Sequence, residues 1–175
     1  MSVLGELQPN KVFKYFEEIC SIPHGSRNLQ QISDYLVDFA KAHELKYRQD
    51  EDLNVIIWKD GSKGYEASEP VILQGHMDMV AVKEADCDKD MEKEGLDLEI
   101  NGDYISAKGT SLGGDDGIAV AYTLAVLDDE EMAHPPIEAI FTVNEEIGML
   151  GAATIDVSDL KGRLFMNMDS EDEVV

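Results

Sequence analysis

One histidine and several acidic residues lie where predicted strands give way to loops. These residues are His76, Asp78, Glu145, Glu146 and Asp169. Imidazole nitrogen and carboxylate oxygen are the donors that zinc, manganese and cobalt accept in sites without thiolate ligands. A pair of cations held by such donors polarises a carbonyl group and generates hydroxide near neutral pH. These residue types therefore indicate a metal-dependent hydrolase.

His76 and Asp78 stand two residues apart at the end of an apolar run. Side chains at this spacing lie on the same face of a strand, roughly 6–7 Å apart. At that distance a carboxylate can orient an imidazole that binds a metal. A histidine that simply ends a strand is the structural alternative.

A glycine-rich loop, 113–117, brings Asp115 and Asp116 to the start of an apolar helix. Glycine lets the backbone adopt unusual conformations and approach a ligand closely. An aspartate at this point can also act as an N-cap stabilised by the helix dipole, but capping does not explain so many glycines. Asp115 could instead bind two cations, one through each carboxylate oxygen.

Glu145 and Glu146 are neighbours, and their negative charges repel. This repulsion favours one carboxylate binding a cation while the other keeps a proton-accepting role. Their side chains point in different directions, so one can bind a metal while the other faces a water molecule. The structural alternatives are an exposed acidic pair and, for Asp169, a turn residue.

The elements that must position these residues follow from periodicity. Apolar residues at helical spacing predict a helix over 9–20 and a second one from Asn28, with Gln31 completing a capping box. A third helix is expected to end near Leu127, and Asn101-Gly102 predicts a hairpin turn. Four further strands are predicted at 54–58, 70–80, 137–143 and 163–168. This alternation indicates an α/β fold with a mostly parallel mixed sheet flanked by helices, where ligands gather at the carboxyl ends of the strands.

Composition narrows the function classes. The 175 residues carry a formal net charge of −23, which disfavours nucleic acid as a partner. No apolar stretch approaches the ~18–20 residues of a membrane span, and residues 1–10 lack a signal core, so we expect a cytoplasmic protein. Cys20 and Cys87 are expected to be unpaired thiols.

Five motifs, in this order, resemble those of the aminoacyl-histidine dipeptidases, a carnosinase-like family of co-catalytic zinc metallopeptidases. The motifs are SIPH at 21–24, LQGHMDMV at 73–80, GTSLGGDDGI at 109–118, NEEIGM at 144–149 and NMDSE at 167–171. The resemblance spans nearly the whole chain. It implies a zinc-peptidase-like fold of three layers, α/β/α.

The resemblance also implies a role for each candidate residue. His76 and Asp169 would bind one metal, Asp115 would bind both, and Glu146 would bind the second. Glu145 would be the general base and Asp78 would orient His76. The implied cofactors are two divalent ions, zinc in the first place, with cobalt or manganese as alternatives. A cis peptide bond between Asp115 and Asp116 is expected.

The resemblance covers only part of a catalytic domain. In the family this domain is interrupted by a second domain, and a histidine from its later portion completes the second metal site. Residues 1–175 are therefore expected to be the N-terminal portion, with the inserted domain and the C-terminal part absent. None of His24, His43 and His134 stands in a motif that matches the missing ligand, so the chain by itself is expected to be inactive.

The predicted activity is hydrolysis of Xaa-His dipeptides by a water that bridges two metal ions. A tripeptidase, a carboxypeptidase or a deacylase of the same superfamily would keep the same ligands, and an inactive cation-binding fragment is a further alternative. The expected partner is a small peptide substrate, with neither nucleic acid nor membrane. A homodimer is predicted for the full-length protein.

Overall fold

The structure is a computed structural model that describes residues 2–169. In this range the helices are α1 (Asn10–Cys20), α2 (Gln30–Ala42), α3 (Gly114–Leu127) and α4 (Leu150–Thr154). The strands are β1 (Lys46–Gln49), β2 (Val55–Lys59), β3 (Val71–His76), β4 (Leu98–Asn101), β5 (Tyr104–Ala107), β6 (Ile137–Thr142) and β7 (Leu164–Asn167). The alternation of helices and strands confirms the α/β prediction.

Five strands form one mixed sheet in the order β1-β2-β6-β3-β7. Strand β2 pairs antiparallel with β1 and β6, whereas β3 pairs parallel with β6 and β7. The carboxyl ends of β6, β3 and β7 therefore lie at the same edge of the sheet. Every candidate residue that follows a strand follows one of these three.

Helices cover one face of the sheet and shorter segments cover the other. Strand β6 is buried along its whole length, as expected for an apolar strand with neighbours on both sides. On one face Leu73 and Phe141 join a core that includes buried residues of α1, α2 and α3. On the other, Ile72 and Ile140 pack against residues 155 and 160, which follow α4. The predicted three-layer arrangement is confirmed.

Three local predictions were wrong in detail. Asn28 does not cap α2, because Leu29 occupies that position and the Asn28 side chain donates to the carbonyl of Glu92 at 2.9 Å. Strand β3 ends at His76 rather than at residue 80, so His76 and Asp78 do not share a strand face. In the hairpin Asn101 pairs with Tyr104, and the turn is therefore centred on residues 102 and 103.

The two cysteines agree with the prediction of unpaired thiols. Cys20 is buried and Cys87 partly buried, and both are free thiols. Among residues 2–169, no helix combines the length and the apolar character that crossing a membrane requires.

Candidate metal centre

His76 is the last residue of β3, and its imidazole is held in one orientation. The side chain is buried, and Nδ1 lies 3.0 Å from the main-chain carbonyl of Asp78. Because a carbonyl oxygen only accepts, Nδ1 carries a proton, and Nε2 is the nitrogen that can bind a metal once its own proton is lost. Nε2 lies 3.0 Å from Asp115 Oδ1 and 3.9 Å from Glu145 Oε2. The nitrogen able to bind a metal thus faces the carboxylates.

The two neighbouring aspartates of the glycine-rich loop have opposite environments. The side chain of Asp115 is 70% exposed and reaches His76 Nε2. Asp116 is buried, and its Oδ2 accepts a hydrogen bond from the main-chain N–H of His76 at 3.1 Å. The peptide bond between them is cis, as the resemblance implied. Asp115 is therefore available to a ligand, whereas Asp116 anchors the loop to β3.

Gly113 is required where the loop turns towards Asp115. Its φ is 68°, a conformation that L side chains rarely adopt. A β-carbon there would lie 2.9 Å from Met79 Sδ and 3.3 Å from His24 Nε2. Close packing under the turn and its left-handed backbone both exclude a side chain at this position.

Asp78 links two of the loops that carry candidate ligands. Its carboxylate is fully buried, and Oδ1 accepts a hydrogen bond from the main-chain N–H of Glu145 at 2.9 Å. The same oxygen lies 3.6 Å from His76 Nδ1. The Ser26 hydroxyl donates to Oδ2 at 2.7 Å. Asp78 thus acts on His76 through its main-chain carbonyl as well as through its carboxylate.

Two sets of side chains offer ligand atoms that all lie within 4.8 Å of one another: His76, Asp115 and Glu146, and His76, Glu145 and Asp169. All five residues were predicted from the sequence, and the structure brings them together. Glu145 belongs to the set with Asp169, although the resemblance implied that it is a base. One imidazole nitrogen with several carboxylate oxygens fits zinc, manganese or cobalt.

The crowding of carboxylates shifts several ionisation equilibria. Burial lowers the pKa of His76, but hydrogen bonds to Asp78 and Asp115 together with the charges of Asp116 and Asp78 outweigh burial and raise that pKa to about 9. Burial is the main cause that raises the pKa of Asp116 to about 7. Burial and the charge of Asp115 also raise the pKa of Glu146. The site therefore favours an additional positive charge, which a bound cation would supply.

Dipeptidases are among the known proteins that are similar to this chain. No protein-family model matches the chain. It is 40% identical over 173 residues to the cytosol non-specific dipeptidase of Escherichia coli, which is 99% of the chain and 36% of that protein. The crystal structure of aminoacylhistidine dipeptidase from Vibrio alginolyticus superposes with a TM-score of 0.93 at 40% identity, over 97% of the chain and 35% of that structure. The chain is a relative of the aminoacyl-histidine dipeptidases.

The family resemblance drawn from the motifs is thus confirmed. The chain spans about a third of the length of these dipeptidases. A tripeptidase from Staphylococcus aureus, 23% identical with a TM-score of 0.76 over 95% of the chain and 44% of that structure, shares the fold. The fold is therefore common to peptidases of more than one specificity.

Sequence reasoning assigned no role to three polar residues that support the candidate metal centre. Ser26 binds Asp78, and Asn144 Oδ1 accepts a hydrogen bond from the main-chain N–H of Arg27 at 2.8 Å. Asn54 Oδ1 accepts from the main-chain N–H of Val143 at 3.1 Å. These partners lie 52 to 117 residues apart, so no local pattern indicates them. Ser26 follows the 21–24 motif and Asn144 begins the 144–149 motif, whereas Asn54 lies in neither.

The loop that carries Glu145 and Glu146 closes on itself at Gly151. The main-chain N–H of Gly151 donates to the carbonyl of Val143 at 2.9 Å. The buried Asn54 side chain spans both ends of the loop, since its amide nitrogen also donates to the Gly151 carbonyl at 3.4 Å. A β-carbon on Gly151 would contact Asn54 Oδ1 and lie 2.6 Å from the Val143 carbonyl oxygen.

Gly151→Ala is therefore expected to lower the free energy of unfolding by about 2 kcal/mol, a typical cost of overpacking. Urea unfolding followed by circular dichroism measures the change. Gly114→Ala is the matched control, because a β-carbon there would meet only Leu112, at 3.8 Å. Equal stability of the two variants would contradict the prediction.

Proposed function

We propose that the chain forms part of the catalytic domain of a metal-dependent dipeptidase that hydrolyses the peptide bond of Xaa-His dipeptides. The observation that carries this proposal is the convergence of one imidazole and four carboxylates at the carboxyl ends of β3, β6 and β7 and at the start of α3. The names of the two dipeptidase relatives support the reaction class. By the same likeness we propose a small peptide as substrate and the cytoplasm as location.

The donor set leads us to infer two divalent ions, with zinc in the first place and cobalt or manganese as alternatives. His76 and Asp169 would hold one ion, Asp115 would reach both, and Glu146 would hold the other. Metals in such sites polarise the carbonyl group of a substrate and lower the pKa of water. The exposure of Asp115 suits a residue that must reach both positions.

Glu145 is the proposed general base. Its side chain is 29% exposed, so water reaches the carboxylate, and its Oε2 lies 3.9 Å from His76 Nε2. The carboxylate takes a proton from the water that attacks the scissile carbonyl carbon, and then gives this proton to the leaving amine nitrogen. Asp78 holds the Glu145 main chain through the 2.9 Å hydrogen bond and keeps the tautomer of His76.

We further propose that residues 1–175 are the N-terminal portion of this domain, and that a histidine from a later portion of a longer protein completes the second metal site. Strand β7 supports this proposal. It is an edge strand of the described sheet, and its Leu164, Phe165 and Met166 are 61%, 59% and 52% exposed. A row of exposed apolar residues on an edge strand is typical of a surface that another segment packs against. Because the histidine that completes the second metal site is absent, residues 1–175 alone are expected to be inactive.

A substrate panel tests the reaction class. The longer protein that contains this chain is expected to release histidine from Xaa-His dipeptides, whereas residues 1–175 alone release none. The same ligands also allow three other specificities. Tripeptides test for a tripeptidase, longer peptides cleaved at the carboxyl terminus test for a carboxypeptidase, and N-acyl amino acids test for a deacylase. Cleavage of one of those classes, with no cleavage of dipeptides, would contradict the dipeptidase proposal.

A further inference from the structure

Residues His24–Arg27, here called the brace segment, contact three loops of the candidate metal centre. The main-chain carbonyl of His24 accepts from the N–H of Met79 at 3.2 Å, and the N–H of Ser26 donates back to the Met79 carbonyl at 3.2 Å. Buried His24 lies under the Gly113 turn. The Arg27 N–H binds the Asn144 side chain at 2.8 Å. The brace segment thus connects loops that are far apart in sequence.

Within the brace segment, Ser26 makes a side-chain contact with the fully buried carboxylate of Asp78. A buried carboxylate requires donors for both oxygens, because an unsatisfied one carries the full cost of its lost hydration. Oδ1 accepts from the N–H of Glu145, and Oδ2 accepts from the Ser26 hydroxyl at 2.7 Å. With both oxygens hydrogen-bonded, the carboxylate is held in one orientation.

This orientation matters because Oδ1 is hydrogen-bonded to the main chain of Glu145 and also lies beside the imidazole of His76. It lies 3.6 Å from His76 Nδ1 and 2.9 Å from the main-chain nitrogen of Glu145. A rotation of the carboxylate would move this oxygen relative to both, and would change the separation between the imidazole and the Glu145 loop.

We propose that Ser26 is a positioning residue: its hydroxyl locks the Asp78 carboxylate and so sets the imidazole of His76 and the main chain of Glu145 relative to one another. This inference rests on the function proposed above, since it assigns Ser26 to the same metal centre. Ser26 itself touches neither metal nor substrate.

The first test uses Co²⁺ binding to the 175-residue chain, measured by calorimetry and by the visible absorption of bound Co²⁺. Ser26→Ala is expected to weaken binding about 10–100-fold, the usual effect of removing a partner behind the ligands, and to change the spectrum. Ser26→Thr keeps the hydroxyl and is expected to restore both. Wild-type affinity and spectrum in Ser26→Ala would overturn the proposal.

Ser33→Ala is the matched control. Ser33 is fully buried and donates to the carbonyl of Leu53 at 2.7 Å, and its side chain makes no hydrogen bond to a candidate ligand. Ser33→Ala is expected to lower the unfolding temperature as Ser26→Ala does. It is expected to leave the Co²⁺ affinity and the spectrum of bound Co²⁺ unchanged. An equal loss of Co²⁺ affinity in both variants would show that the effect of Ser26 is general destabilisation, and would overturn the proposal.

A second measurement needs no metal and separates this inference from the proposed function. Hydrogen exchange of the Glu145 amide in the metal-free chain reports its bond to Asp78 directly. We expect Ser26→Ala to speed this exchange at least about tenfold and Ser33→Ala to leave it unchanged, at urea concentrations that equalise their global stability. If wild type binds no Co²⁺ but this difference is seen, the metal proposal fails and the positioning role stands. If the two variants exchange alike, the positioning role fails.

Discussion

Glu145→Gln in the longer protein is expected to reduce dipeptide turnover by a factor of about 10²–10⁴, the usual contribution of a general base, while the bound metal stays unchanged. Glutamine keeps the shape of the side chain but accepts no proton at neutral pH. Steady-state kinetics give the turnover, and elemental analysis of the purified variant gives the metal content.

The measurement of metal content decides between two roles for Glu145. Its carboxylate lies in one group of possible ligands with His76 and Asp169, so its position alone also suits a ligand. Loss of one ion in Glu145→Gln would identify Glu145 as a ligand, and unchanged turnover would remove it from the mechanism. Glu131→Gln, at an exposed glutamate, is the control and is expected to behave as wild type.

His76→Ala is expected to weaken binding of at least one zinc ion per chain by a factor of about 100 or more, at or above the largest effect of residues that only support a ligand. Among the candidate ligands, replacing His76 is expected to weaken zinc binding most, because His76 belongs to both groups of possible ligands. Calorimetric titration of the metal-stripped chain with zinc gives the number of sites and their affinities. Retention of the wild-type number and affinity would contradict the ligand assignment.

Two further variants separate loss of a ligand from loss of folding. Removing the buried imidazole leaves Asp78 without one partner, which by itself destabilises the chain. Asp115→Asn avoids this difficulty, because the Asp115 side chain is 70% exposed, and it is expected to weaken zinc binding in a folded chain. His43→Ala removes a partly exposed histidine that stacks on Phe39, and is expected to keep all zinc sites.

These experiments also test how much of the site the described residues form by themselves. His43 and His134 belong to neither group of possible ligands among residues 2–169, and His24 is buried with Nδ1 bound to the carbonyl of Ile22. A chain that binds one zinc ion tightly and a second one weakly agrees with a second site completed by a histidine from elsewhere. Two equally tight sites would contradict that proposal.

The sequence determined the elements and the edge of the sheet at which the chemistry lies. Helical spacing of apolar residues located α1, and continuous apolar runs located β2, β6 and β7, to within a few residues, because both patterns can be read locally. Polar residues directly after apolar strands then indicated His76, Glu145, Glu146 and Asp169. Because β3, β6 and β7 are parallel, these residues meet in space.

Only the tertiary structure decided which atoms support the candidate ligands. Asp115 and Asp116 have the same side chain, but β3 buries Asp116 and leaves Asp115 exposed. Asp78 was expected to share a strand face with His76, whereas β3 ends before it and its carboxylate also binds the main chain of Glu145. No local pattern indicated the hydrogen-bond partners of Ser26, Asn54 or Asn144. A hydrogen bond between residues brought together by folding leaves no periodicity in the chain, and its partners emerge only when the loops pack.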